Sequence, residues 1–167
     1  MFDLLSIKGP ADVKAVPAEN VNDLCDAMRQ ALVVRASRHT GHVGPNLGFV
    51  EATVALHRVF DSPTDKIVFD VSHQCYPHKM LTGRMRAYVD AAHYDDVSGY
   101  TEPSESPHDH FVVGHTATSV SLATGLAKAR DLKGETFNVI AVIGDGSLSG
   151  GEAFEGLNNA AEQGTNL

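Results

Sequence analysis

The stretch VIGDGSLSGGEAFEGLNN, residues 142–159, passes from a short apolar run through a Gly-Asp-Gly corner into a segment with helical character. A strand that leads straight into a helix is the building unit of parallel α/β sheets, whose ligands gather at the carboxyl ends of the strands. The first backbone N–H groups of such a helix can receive phosphate oxygens. The stretch therefore predicts an α/β fold with a ligand site at residues 144–146.

The rest of the chain fits the same architecture. Two strands are predicted, over about 66–71 and 137–143, because both runs are short, apolar and rich in β-branched residues. Helices are predicted over about 20–38, 49–60, 151–164, and from the Thr and Ser caps after Gly114 to Gly134. The polar stretch 81–109 predicts a long loop, functional or disordered. Strands that alternate with helices indicate a parallel sheet flanked by helices.

Composition narrows the class of protein. The chain has 167 residues, 43% of them hydrophobic, which is enough for one core. A net charge of −8 and the absence of tryptophan argue against nucleic-acid binding. Cys25 and Cys75 lack the spacing of a zinc ribbon or a disulfide framework, so we expect a reducing cytoplasm. No apolar run reaches the ~18 residues of a membrane span, so no membrane role is expected.

Several phosphate-binding motifs compete for the corner at Asp145. A Walker A loop requires a lysine that the segment lacks, and a dinucleotide fingerprint requires a glycine where Ser149 stands. A carboxylate beside a diphosphate instead suggests a bridging Mg²⁺ ion, which binds one or two carboxylates together with phosphate oxygens. The alternative is that Asp145 only caps the following helix.

Three of the nine histidines occupy positions typical of a binding site. His42 lies in a glycine loop, His73 follows a predicted strand, and His115 precedes a predicted helix. Histidine titrates near neutrality and can donate to phosphate or transfer protons. A zinc site is a weaker alternative, because two histidine pairs and one group of three have ligand-like spacing but lack a companion cysteine or acidic set: His39 and His42, His73 and His78, and His108, His110 and His115.

Together these segments resemble the 1-deoxy-D-xylulose-5-phosphate synthase family, thiamine diphosphate enzymes of the transketolase superfamily. The resemblance runs from about residue 5 to the end of the chain. It is carried by four stretches: GHVGPNLGFVEATVALHRVFDSPTDKIVFDVSHQCYPHKMLTGR, SGYTEPSES, GHTATSVSLATGLAKARDLKG and VIAVIGDGSLSGGEAFEGLNNA. The combination of SHQCYPHKMLTGR with GHTATS is more specific than a Gly-Asp-Gly corner alone.

The resemblance implies a site for thiamine diphosphate and Mg²⁺, with Asp145 as the metal ligand. It implies backbone contacts to the diphosphate from Gly146 and Ser147, and proton transfer near the thiazolium ring by His42. Further cofactor contacts are implied for His73, Gly114, His115 and Thr116. The implied reaction joins pyruvate to D-glyceraldehyde 3-phosphate with loss of CO₂, in a homodimer of the full-length protein.

The resemblance also implies where this chain falls in such an enzyme. Residues 1–167 are expected to be the N-terminal diphosphate-binding domain, truncated before the asparagine that completes the cofactor motif. Asn158 and Asn159 come too early for that role and belong to the helix. Because the pyrimidine-binding and C-terminal domains are absent, we expect the isolated chain to be inactive. Two interpretations stay open: part of a longer synthase, or a split or degenerate subunit that binds a partner.

Several positions differ from the usual family pattern. Ser72 stands in place of a common glycine, and Thr116 and Ala117 stand where serines are expected. Glu102 and Pro103 replace residues that tend to be basic. Loss of positive charge beside a phosphorylated substrate leaves open a related ketol transferase with a different acceptor.

Overall fold

The structure is a computed structural model that describes residues 2–167. The chain divides into two units. The first contains the chain up to Asp61 together with His73–Gly99, and the second contains Ser62–Ser72 and Tyr100–Leu167.

The first unit is helical. Its α-helices are α1 (Pro10–Ala15), α2 (Val21–Ala36), α3 (Gly44–Leu47), α4 (Val50–Val59), α5 (Tyr76–Lys79) and α6 (Arg86–Val89). Leu24, Met28 and Leu32 recur every fourth residue of α2 and are buried, as the periodicity predicts. Helix α2 packs against α4, which buries Val50 and Val54. The predicted helices over 20–38 and 49–60 are therefore confirmed.

The predicted loop over 81–109 is wrong in its first half. A π-helical turn, Met80–Arg84, leads into α6, and the 3-10 helix Ala91–Asp96 follows. The chain is ordered here because Ala87, Tyr88 and Tyr94 are buried within the first unit, where α6 packs on α2. Isolated buried residues in an otherwise polar sequence leave no periodic signal.

The second unit contains the sheet. Strands β1 (Lys66–Phe69) and β2 (Val139–Val142) are parallel, with Lys66 opposite Val139 and Phe69 opposite Val142. Helix α7 (Ser119–Lys133) packs on both strands, burying Ala123 and Ala127 against Val68 and Val139. Helix α8 (Gly151–Gln163) packs on α7. A parallel sheet flanked by helices confirms the predicted α/β fold class.

Strand β1 ends earlier than predicted because the backbone turns into the left-handed region. Val71 has φ of 57° and Ser72 has φ of 67°. This conformation favours glycine, the residue that the family resemblance leads one to expect at position 72. The Ser72 hydroxyl offsets the strain: it donates to the Val113 carbonyl oxygen (3.0 Å) and accepts from the Thr101 backbone N–H (3.0 Å).

Cys25 and Cys75 are both buried, and neither forms a disulfide. Burial raises the pKa of Cys25, and the carboxylate of Glu51 raises it further. Cys25 therefore lacks the exposed, activated thiolate of a reactive cysteine. Among residues 2–167, no helix has the length and apolar character needed to cross a bilayer.

Candidate functional site

The Gly-Asp-Gly corner lies directly after β2 and leaves open space above its backbone. Gly144, Asp145 and Gly146 are all exposed. A methyl group placed on Gly144 or Gly146 would meet no atom within 4 Å. A short 3-10 helix, Ser147–Ser149, begins at the corner. The structure thus presents an accessible carboxylate and an unobstructed turn at the carboxyl end of a parallel strand.

The capping alternative for Asp145 receives no support from the geometry. The 3-10 helix has Gly146 at its N-cap and α8 has Gly150, and neither start has a side-chain cap hydrogen bond. The first N–H groups of a helix have no partner within the helix, so those of Gly146 and Ser147 are suited to an outside acceptor.

A buried carboxylate joins this corner to the other motif of the second unit. Asp70 follows β1 and is 1% exposed. Its two oxygens accept the backbone N–H groups of Ala117 (3.0 Å) and Ser119 (2.9 Å) at the start of α7. The prediction that Thr and Ser residues cap this helix is wrong, because Thr118 makes no side-chain cap hydrogen bond. Asp70 takes that place from a distant part of the sequence.

Asp70 also contacts the corner itself. Burial alone would raise its pKa, but hydrogen bonds from the Ser119 backbone, the Ser147 side chain and the Ala117 backbone hold the pKa below its ordinary value. The carboxylate is therefore ionised at neutral pH. The buried anion thus orders the start of α7, directly after the loop that carries His115, and it interacts with Ser147 of the corner.

The segment Gly114–Thr116 lies beside this anion with its side chains in solvent. Gly114, His115 and Thr116 are exposed, and the His115 carbonyl oxygen accepts the Val71 backbone N–H (3.3 Å). The next residue packs closely on the start of α8, because a methyl group on Gly150 would lie 2.7 Å from the Ala117 Cβ. The second unit therefore brings together six of the predicted site residues: Gly114, His115, Thr116, Asp145, Gly146 and Ser147.

The first unit brings together the other two predicted site residues, His42 and His73. The rings of His42 and His73 pack edge to face, with centroids 5.3 Å apart. The buried side chain of Asn46 donates to the carbonyl oxygens of both residues, at 2.9 Å each. Its own oxygen accepts the Tyr76 backbone N–H (2.9 Å). One amide therefore fixes the two histidine backbones relative to each other.

The zinc alternative receives no support from the residues that the structure describes. No cluster of three or more histidine, cysteine or acidic side chains with metal-binding geometry occurs within residues 2–167. His39 instead contacts Asp95 (2.9 Å), and His57 is hydrogen-bonded to His78 (2.9 Å) in the core. Asp145 is a single accessible carboxylate, which suits a Mg²⁺ ion that takes its remaining ligands from phosphate and water.

The family profile described as 1-deoxy-D-xylulose-5-phosphate synthase matches residues 4–167. The chain belongs to the 1-deoxy-D-xylulose-5-phosphate synthase family. Similar proteins with that name include those of Pelotomaculum thermopropionicum, 48% identical over 98% of this chain, and Caldanaerobacter subterraneus, 51% identical over 93%. A Geobacter metallireducens relative, 1-deoxy-D-xylulose-5-phosphate synthase 1, is 50% identical over 93%. The chain covers 26%, 25% and 25% of their lengths, about a quarter.

Sequence analysis assigned no role to three residues that order these segments. Asn46, Asp70 and Tyr76 all lie within the stretch 41–84 that carries the family resemblance, but none was singled out as a site residue. Asp70 acts on residues 47 and 49 positions away. An Asp near the end of a predicted strand was the one available signal, since that edge of a parallel sheet faces ligands and helix starts.

Proposed function

We propose that this chain carries the diphosphate-binding part of a thiamine diphosphate-dependent synthase. The proposed reaction condenses pyruvate with D-glyceraldehyde 3-phosphate to 1-deoxy-D-xylulose 5-phosphate, with release of CO₂, in isoprenoid and thiamine biosynthesis. Because the chain covers about a quarter of its relatives, the isolated residues 1–167 are proposed to be inactive. Residues 1–167 are proposed to belong to the N-terminal diphosphate-binding domain.

The observation that carries this proposal is the corner at Asp145. An exposed carboxylate and open space above two glycines follow a parallel strand, which is where a Mg²⁺–diphosphate group would need them. Asp145 would hold the metal, and the Gly146 and Ser147 backbones would hold the diphosphate. Gly114, His115 and Thr116 are the proposed contacts from the neighbouring loop, which Asp70 orders together with Ser147.

The two histidines of the first unit have separate proposed roles. His73 is a cofactor contact and His42 transfers protons. The edge-to-face packing of their rings restricts the orientation of both, and Asn46 holds both backbones. When bound, thiamine diphosphate supplies the electron sink for decarboxylation of a 2-oxo acid, and the protein supplies orientation and protons.

A second candidate is the same chemistry with a different acceptor. The turn at Glu102 is acidic: its backbone N–H donates to the carboxylate of Asp109 (2.8 Å), which is 3% exposed. The Glu102 carboxylate in turn accepts the Ser104 backbone N–H (3.0 Å). A turn that contains two carboxylates attracts a phosphorylated aldehyde less strongly than a turn with basic side chains does. We therefore include an unphosphorylated acceptor in the test below.

Two further proposals concern the setting of the enzyme. Two buried free thiols are suited to a reducing cytoplasm. The full-length protein is proposed to be a homodimer, as in the family that this sequence resembles. Light scattering of the chimera described next would test the second proposal, and a monomeric mass would contradict it.

The experiment uses a chimera in which residues 4–167 replace the matching segment of the Pelotomaculum thermopropionicum relative. Pyruvate with glyceraldehyde 3-phosphate should give CO₂ and product only when thiamine diphosphate and Mg²⁺ are both present. Glyceraldehyde without phosphate, used at the same concentration, decides between the two candidate acceptors. A folded chimera that binds no thiamine diphosphate would refute the proposal, as would steady turnover by the isolated chain. The unaltered relative is the positive control.

A further inference from the structure

The hydroxyl of Tyr76 lies against the histidine that is proposed to transfer protons. Tyr76 is the first residue of α5 and is 4% exposed. Its Oη accepts the His42 backbone N–H (3.1 Å) and lies 3.4 Å from Nδ1 of the His42 ring. The tyrosine thus contacts His42 at both the backbone and the imidazole.

These contacts favour one distribution of the protons over the other. A phenol has one proton to donate. Among residues 2–167, the only acceptor recorded for the Tyr76 hydroxyl proton is His42 Nδ1. A nearly buried hydroxyl without an acceptor would cost free energy, so the proton is directed to Nδ1. If Nδ1 accepts, neutral His42 carries its own proton on Nε2. The separation of 3.4 Å is long, as catalytic hydrogen bonds often are before a ligand binds.

A rigid cluster holds the Tyr76 ring in place. The guanidinium of Arg35 lies 5.6 Å from the ring centroid of Tyr76, 5.1 Å from Tyr88 and 5.4 Å from Tyr94. Arg35 is buried and donates to the carbonyl oxygens of Ala87 (3.1 Å) and Tyr94 (2.9 Å). With several partners at fixed distances, the guanidinium restricts motion of all three rings.

The backbone around the hydroxyl is also closely packed. Gly41 has φ of 154°, and a methyl group there would lie 2.9 Å from Tyr76 Oη. A methyl group on Gly99 would lie 3.4 Å from the same atom. Asn46 binds the Tyr76 backbone N–H and the His42 carbonyl oxygen. The hydroxyl therefore has little freedom to turn away from His42.

We propose that Tyr76 is a positioning residue that holds neutral His42 with its proton on Nε2. The inference concerns the unliganded chain, and its relevance to catalysis rests on the function proposed for His42. In that role, the Nε2–H group of neutral His42 can donate a hydrogen bond, while Nδ1 accepts from the tyrosine.

The test is ¹⁵N NMR of the histidine-labelled chain without cofactor or substrate, at about pH 8.5 where histidine is neutral. His42 is assigned by the signals that His42→Gln removes. In the unaltered chain we expect Nδ1 to have the shift of an unprotonated nitrogen and Nε2 that of a protonated one. Tyr76→Phe should lower the ratio of the Nε2–H to the Nδ1–H form by about threefold or more, as loss of one hydrogen bond implies.

Tyr88→Phe is the matched control. It removes a hydroxyl from the same Arg35 cluster, and the Tyr88 hydroxyl is buried with no hydrogen-bond partner among residues 2–167. The His42 spectrum should therefore be unchanged in Tyr88→Phe. Circular dichroism confirms that each variant is folded.

Two results would overturn the proposal. One is a proton on Nδ1 of neutral His42 in the unaltered chain, which decides the matter even if Tyr76→Phe fails to fold. The other is an unchanged tautomer ratio in folded Tyr76→Phe. If His42 has the expected tautomer but the chimera binds no thiamine diphosphate, the proposed function fails and this inference stands.

Discussion

Replacement of Asp70 by asparagine should destabilise the second unit. The carboxylate gives one oxygen to each of two backbone N–H groups, on Ala117 and Ser119. Asparagine keeps one acceptor oxygen and turns an NH₂ group toward the other donor. Loss of one hydrogen bond to a charged group costs about 1.5–3 kcal/mol, and the remaining bond weakens when its acceptor becomes neutral. We therefore expect a loss of about 3 kcal/mol.

The loss is measured by urea or thermal unfolding followed by circular dichroism. For a chain of this length, about 3 kcal/mol corresponds to a fall in Tm of roughly 6–12 °C. Asp145→Asn is the matched control, because Asp145 is exposed and caps neither helix that follows it, so stability should be unchanged. A loss under about 0.5 kcal/mol in Asp70→Asn would show that Asp70 does not order these loops.

Acid unfolding gives an independent check on the same residue. The folded-state pKa of Asp70 is held below its ordinary value, so its contribution to stability is present at neutral pH. That contribution is lost as the pH falls below the unfolded-state pKa of about 4 and through the folded one. Asp70→Asn should therefore have a shallower loss of stability in this acidic range. An identical pH profile for both proteins would contradict the assigned hydrogen bonds.

Two more substitutions test the backbone of the second unit by thermal unfolding. Ser72→Ala and Ser72→Gly both lose the two hydrogen bonds of the hydroxyl group. Alanine keeps the strained φ of 67°, whereas glycine relieves it, so Ser72→Gly should be more stable than Ser72→Ala by about 1 kcal/mol. Greater stability of Ser72→Ala would refute this. Gly150→Ala places a methyl group 2.7 Å from Ala117 and should cost about 1–3 kcal/mol. A methyl group on Gly151 would meet no atom within 4 Å, so Gly151→Ala should leave stability unchanged. Equal losses of stability in the two variants would contradict the close packing of Gly150 on Ala117.

The sequence could predict the elements that repeat regularly. Helices α2, α7 and α8 and both strands follow from periodicity and from the glycines that end helices, such as Gly134 with φ of 70°. The sequence could also predict the site motifs, because the residues of each motif are close together in the chain. Their arrangement within each unit was not predictable, since it depends on Asn46 in the first unit and Asp70 in the second, whose partners are distant in the chain. The buried tyrosines after residue 81 escaped prediction for the same reason, because Arg35 of α2 orders them.

Asp145 is proposed to hold Mg²⁺ for a diphosphate. This role is measured by calorimetric titration of the chimera with thiamine diphosphate at several Mg²⁺ concentrations. The affinity should rise with Mg²⁺, and Asp145→Asn should weaken binding by at least about tenfold. Losses of about this size are typical even for groups that only support a metal ligand. Equal, Mg²⁺-dependent affinity in the unaltered chimera and in Asp145→Asn would show that Asp145 does not hold the metal.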